Sequence, residues 1–180
     1  MALPAAARDL PVVDVLPALA TALEQRGSAL LVAPPGAGKT TVAPLWLIEQ
    51  PWLTGRIVML EPRRLATRAA AQRMAALLGT EVGGLVGYQT RDERRIGRDT
   101  MIEVVTEGVL TRRLQHDPEL PGVGLVIFDE VHERNVPTDI GLAFAIDARE
   151  TVRPDLRLLA MSATPDVAKL TTVLGDAPMI

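Results

Sequence analysis

Three groups of residues in this chain could do chemistry together. The first is Ala33-Pro-Pro-Gly-Ala-Gly-Lys-Thr40, followed by Thr41. It fits the phosphate-loop pattern G-x-x-x-x-G-K-[ST], with Ala33 in place of the first glycine. Gly36 and Gly38 let the backbone turn tightly enough for successive N–H groups to face phosphate oxygens. Lys39 can neutralise the β- and γ-phosphates, and the Thr40 hydroxyl can ligate Mg²⁺. The second group is Leu125-Val-Ile-Phe-Asp-Glu130, an apolar run ending in two acids. There Asp129 is placed to hold Mg²⁺ through water, and Glu130 to orient and activate an attacking water. Acids at a strand end are common, so the second signal gains its weight from following the first. The third group is basic. Of 19 basic residues only Lys39 and Lys169 are lysine, and the arginines gather at 56–73, at 91–98 and at Arg112–Arg113.

These groups need a scaffold that brings loop ends together. Short apolar runs alternate with amphipathic stretches along the chain. Strands are expected at 28–33, 56–60, 84–89, 101–105, 125–128 and 156–161. Helices are expected at 14–26, 40–50 (with Pro44 disturbing its first turns), 63–78, 107–115, 137–150 and 166–174. Gly27 and Gly79 close two of the helices. Strands alternating with helices imply an α/β fold with a mostly parallel sheet covered on both faces. Fully apolar strands such as Leu-Val-Ile-Phe fit burial on both sides. The phosphate loop lies between an apolar run and a helical stretch, which is the context its chemistry requires.

Composition narrows the classes. The 180 residues are 48% hydrophobic and 23% charged, ordinary for a single globular domain and wrong for a disordered or collagen-like chain. There is no cysteine, so disulfides and thiolate metal sites are excluded, and with only His116 and His132 a zinc site is not expected. No run reaches the roughly 18 apolar residues of a membrane helix, and the first residues lack the pattern of a signal peptide. The expectation is a cytoplasmic protein without a membrane partner. A net charge of −3 argues against nucleic-acid binding by bulk charge.

Asp129-Glu-Val-His-Glu-Arg134 resembles the D-E-x-H-E-R box of the DEAH/DExH RNA helicases of superfamily 2. It does not stand alone. Residues 33–41 are similar to helicase motif I, Glu61-Pro-Arg-Arg-Leu-Ala66 to motif Ia, and Gly87-Tyr-Gln-Thr-Arg91 to the family's G-Y-x-x-R element. Thr106-Glu-Gly-Val-Leu110 resembles motif Ib and Ser162-Ala-Thr164 motif III. All stand in the family's order and together span residues 33 to 164, and their wording is similar to the bacterial HrpB-type branch.

The resemblance implies a RecA-like P-loop domain and assigns roles. Gly36, Ala37, Gly38, Lys39, Thr40 and Thr41 would bind ATP, with Thr40 and Asp129 on Mg²⁺ and Lys39, Asp129 and Glu130 carrying catalysis. Arg73 matches an arginine that stacks on the nucleotide base, against its plain reading as a surface helix residue. Pro62, Arg63, Arg64, Arg91, Thr106 and Glu107 match positions lining a single-stranded RNA path, which gives the arginine clusters a common purpose. His132, Ser162 and Thr164 would couple nucleotide state to strand separation. His116 reads as a surface residue at a helix end. Tyr88 has two readings, base stacking and a buried strand position, and the second suits it better. With five aromatic residues in all, RNA affinity should be electrostatic and backbone-directed.

No Q-x-x-G-R-x-G-R box supplying arginine fingers is found, so the expectation is the first of two RecA-like domains over residues 1–180, weak alone in ATP hydrolysis. The rival readings are a DNA translocase and another P-loop ATPase that switches an interaction.

Overall fold

The computed structural model describes residues 4–165 and 168–180. A seven-stranded sheet forms its centre, in the order β1-β7-β6-β2-β5-β3-β4. The strands are β1 (Ser28–Val32), β2 (Arg56–Leu60), β3 (Val86–Gln89), β4 (Arg94–Arg95), β5 (Ile102–Val105), β6 (Val123–Phe128) and β7 (Arg157–Ser162). Every pairing is parallel except that of the two-residue β4 with β3. The helices are α1 (Leu16–Arg26), α2 (Lys39–Leu47), α3 (Arg64–Leu77), α4 (Glu107–His116), α5 (Val136–Thr151) and α6 (Ala168–Val173). This is the expected α/β architecture.

Strand side chains alternate between two cores with the period of the pleat. In β6, Leu125 and Ile127 face one core with Met59 of β2 and with α1, α2 and α3. Val126 and Phe128 face the other with Leu60 of β2 and with α4 and α5. Both faces are covered, so the strands are apolar throughout rather than alternating with polar residues.

Most elements fall within a few residues of expectation, and the departures have local causes. Residues 11–15 form a separate 3-10 turn, and α1 begins at Leu16 rather than at Asp14. Pro44 sits inside α2, forgoing one backbone bond without ending the helix, which stops at Leu47. β6 begins at Val123, two residues before the apolar run, and includes Gly124, where a Cβ would stand 2.2 Å from the Thr54 carbonyl oxygen. The hairpin strand β4 was not expected: two consecutive arginines carry no apolar pattern. The start of the last expected helix, at 166, lies outside the described residues. Among the described residues no helix is long and apolar enough to cross a membrane.

Candidate nucleotide site and basic groove

Parallel strands end on one edge of the sheet, and the turns that follow β1, β2, β6 and β7 meet there. After β1 the chain enters the phosphate loop. Gly36 and Gly38 take φ of +82° and +96°, a region that favours glycine. A Cβ on Gly38 would meet Leu10, Val12 and Val42 at 3.0–3.2 Å. The loop is therefore roofed by the segment before α1, and the Val12 N–H donates to the Ala37 carbonyl at 3.0 Å.

Lys39 opens α2 and is 4% exposed. Its Nζ lies 3.0 Å from Glu130 Oε1. Asp129, at the end of β6, is fully buried. Its Oδ1 accepts the Glu130 N–H at 2.9 Å, while Oδ2 has no hydrogen-bond partner. A buried carboxylate oxygen without a partner is costly unless a cation or donor completes it. Burial pushes the Asp129 carboxyl up to about 6; the Thr40 hydroxyl and Lys39 oppose that rise and Glu130 adds to it.

Glu130 and Arg134 take φ of +54° and +50° and bracket a 3-10 turn at Val131–Glu133. Such a conformation costs a non-glycine residue about 1–2 kcal/mol, so the turn is held by what it touches. His132 Nδ1 lies 3.3 Å from Glu130 Oε2 and accepts the Ala163 N–H at 3.3 Å. Ser162 Oγ accepts the Thr164 N–H at 3.0 Å and donates to the Thr164 carbonyl at 2.7 Å. The Ser162 carbonyl in turn accepts the Ala33 N–H at 3.1 Å. The three coupling candidates thus form one path from the acidic turn back to the phosphate loop.

Two clefts adjoin the loop. One, of about 320 Å³, is lined by Leu10, Gly36, Gly38, Lys39, Thr40, Thr41 and Arg73. The other, of about 520 Å³, shares Thr40, Thr41 and Arg73 and adds Glu61, Arg63, Glu130 and Glu133. Arg73, in α3, thus lines both clefts. Ala37, within the loop, is buried and lines neither cleft. Glu61 sits among acids: burial, then Asp129, Glu130 and Glu133, push its carboxyl up to about 8, with Arg63 opposing.

A separate groove of about 340 Å³ collects Pro62, Arg64, Arg91, Thr106 and Glu107 with Gln89, Thr90, Gly108, Val109 and Arg112. Five of the six residues read as an RNA path come together there. Arg63 does not: it turns to the second cleft and pairs with Glu133. Glu107 is fixed by Thr138 Oγ1 at 2.9 Å and by Asn135 Nδ2. Arg113 departs from its cluster, binding the buried Glu103 at 2.7 Å and the Gln89 amide oxygen at 2.7 Å. Tyr88 is a buried strand residue, 5% exposed.

Two residues escape the sequence reading. Leu10 carries no motif, and only the chain's return over the loop brings it to the cleft. Glu103, held between Arg56 and Arg113, stands in a strand that reads as apolar. Arg112, from the third arginine cluster of the sequence, does join the groove from α4.

Comparison with known proteins agrees with this geometry. The chain is 53% identical over 171 residues to the Escherichia coli K12 protein named ATP-dependent RNA helicase HrpB. It is 38% identical over 177 residues to the chicken (Gallus gallus) protein named ATP-dependent RNA helicase DHX30. Each alignment covers 95% of this chain but only 21% and 14% of those proteins. The chain thus spans about a fifth or less of the length of these relatives. The crystal structure of Escherichia coli DEAH/RHA helicase HrpB superposes with a TM-score of 0.92 at 52% identity, over 96% of this chain and 22% of that one. This match carries the RecA-like helicase fold to the chain. The family model for DEAD/DEAH box helicases matches residues 16–173, and the chain belongs to that family.

Proposed function

We propose that this chain is the first of two RecA-like domains of an ATP-dependent RNA helicase. In this reading it binds Mg-ATP at the phosphate loop and the backbone of single-stranded RNA in the basic groove. The observation that carries the reading is the shared edge. Glu61, directly after β2, lines the nucleotide cleft, and Pro62 and Arg64 line the groove immediately beyond it.

In the nucleotide site the loop N–H groups and Lys39 would take the β- and γ-phosphates. Lys39 must first leave Glu130, and the phosphates replace that carboxylate as its partner. Glu130, so released, would orient the attacking water and accept its proton. Arg73 would lie flat against the base, a contact that tolerates different bases. The residues fit a magnesium ion, since Asp129 Oδ2 is buried without a partner and the Thr40 hydroxyl acts on the same carboxyl. One carboxylate and one hydroxyl suit an ion that takes its remaining ligands from water and substrate phosphates. Bound there, magnesium would neutralise charge on the phosphoryl oxygens.

Groove recognition would be made by Arg64, Arg91 and Arg112 together with Thr106, through phosphates and without a sequence code. His132, Ser162 and Thr164 would relay the state of the nucleotide. The second RecA-like domain would close the cleft and supply the arginines that stabilise the transition state, so this chain alone should turn over slowly.

The test is binding of labelled single-stranded RNA and matching DNA to the chain across a salt series. Binding that prefers RNA and weakens steeply with salt supports the reading. Equal affinity for DNA favours a DNA translocase. No binding at low salt, by this chain or by the full-length protein, removes the RNA assignment.

A further inference from the structure

Arg63 and Arg64 are consecutive, yet they serve different sites. Arg64 lines the groove and reaches Asp92 at 2.6 Å. Arg63 lines the nucleotide cleft and reaches Glu133. The divergence is built into the backbone. Arg63 is the N-cap of α3 with extended φ and ψ of −110° and 130°, and Arg64 is the first helical residue. Two arginines at the positive end of a helix, with no acid in its first turn, are unfavourable without anions to meet them. Stability does not explain the Arg63–Glu133 pair, because Arg63 is 70% exposed and such pairs contribute little.

The corner that carries both arginines is tied together by one side chain. Thr67 Oγ1 donates to the carbonyls of Arg63 and Glu61, at 3.0 and 3.3 Å, tying the first turn of α3 to the end of β2. The acidic turn at the other end of the pair is equally constrained. It meets the phosphate loop through Glu130, the segment after β7 through His132, and the α3 corner through Glu133. Both of its ends are in left-handed conformation, so those contacts set its shape.

We propose that Arg63 and Glu133 are a positioning pair that ties occupation of the basic groove to the placement of Glu130, and that Arg63 does not itself hold the strand. The inference rests on the reading above, with RNA in the groove and ATP in the cleft. A phosphate drawn to Arg64 shifts the α3 corner. Arg63 passes the shift to Glu133, three residues from the carboxylate that would orient the attacking water. Coupling between two sites typically changes a binding affinity by roughly 5- to 150-fold, and the RNA-stimulation ratio is the readout of its effect here.

The experiment uses the full-length protein and reads two quantities: the ratio of RNA-stimulated to basal ATP hydrolysis, and RNA affinity across a salt series. Arg64→Ala is expected to weaken RNA binding and to lower the salt slope by about 0.7–1, the signature of one lost phosphate contact. Arg63→Ala should leave that slope intact while the stimulation ratio falls about tenfold. Glu133→Ala should do the same, and the double variant should be no worse than either single one. The exchange Arg63→Glu with Glu133→Arg should restore part of the ratio. A slope lowered by Arg63→Ala as by Arg64→Ala would make Arg63 an RNA contact and overturn the proposal. Additive losses in the double variant, or stimulation that survives both single changes, would also overturn it. Absence of RNA stimulation in the unaltered protein would instead remove the helicase reading, and the pair with it.

Discussion

Lys39 and Glu130 meet at 3.0 Å across the mouth of the phosphate loop, so the cation we propose for phosphate is held by the carboxylate we propose for water. In that proposal each masks the other until a nucleotide enters. Glu130→Gln should therefore retain Mg-ATP binding and lower turnover by about 10²-fold or more, the scale of a lost general base. Lys39→Ala should lose binding itself. Nucleotide affinity by fluorescence titration, set beside turnover in the full-length protein, separates the two effects.

Gly38 joins the loop to the segment that roofs it. With φ of +96° and three side-chain carbons at 3.0–3.2 Å from where a Cβ would stand, Gly38→Ala is strained on both counts. Expected is a loss of about 1–3 kcal/mol of stability together with nucleotide affinity. Leu10→Ala should leave the fold nearly intact and weaken nucleotide binding by several-fold, through loss of an apolar wall. Thermal unfolding with and without ATP distinguishes the two.

The nucleotide site should make the free protein less stable as pH rises. Glu61 is raised to about 8 and Asp129 to about 6, both above their unfolded values. A group whose folded form holds its proton more tightly favours the fold below its unfolded pKa and loses that advantage as pH rises through the folded one. Between about pH 4 and 8 the slope from Glu61 alone reaches at most about −1.4 kcal/mol per pH unit. Glu61→Gln should flatten the profile between pH 6 and 8, where Asp129 has already titrated. Urea unfolding in metal- and nucleotide-free buffer at several pH values measures this. A profile that Glu61→Gln leaves unchanged would contradict it.

Glu103 lies between Arg56 and Arg113, both at 2.7 Å, and is itself buried. Glu103→Ala should cost about 2 kcal/mol, less than a fully buried pair because both arginines keep contact with water. Urea unfolding of the variant is the check.

What the sequence showed clearly was contiguous. The phosphate loop and the Asp129–Glu130 box each need only a strand, a turn and the next element, and local pattern specifies those. The strand-helix alternation was readable because strands buried on both faces are apolar throughout. Side-chain direction was not readable. Arg63 and Arg64 look alike in a string, and the extended N-cap alone sends them apart. Arg112 and Arg113 are likewise adjacent, yet one faces the groove and the other a buried acid. Leu10 reaches the nucleotide cleft by a contact between distant segments that no local spacing encodes, and β4 exists because a neighbouring strand edge accepts two arginines.

The most direct measurement is ATP hydrolysis by the full-length protein, with and without single-stranded RNA, in unaltered and Glu130→Gln forms. Expected is turnover that RNA raises by about tenfold or more and that Glu130→Gln abolishes while Mg-ATP still binds. Turnover indifferent to RNA, or undiminished by Glu130→Gln, would contradict the assignment of this domain to an RNA-driven ATPase.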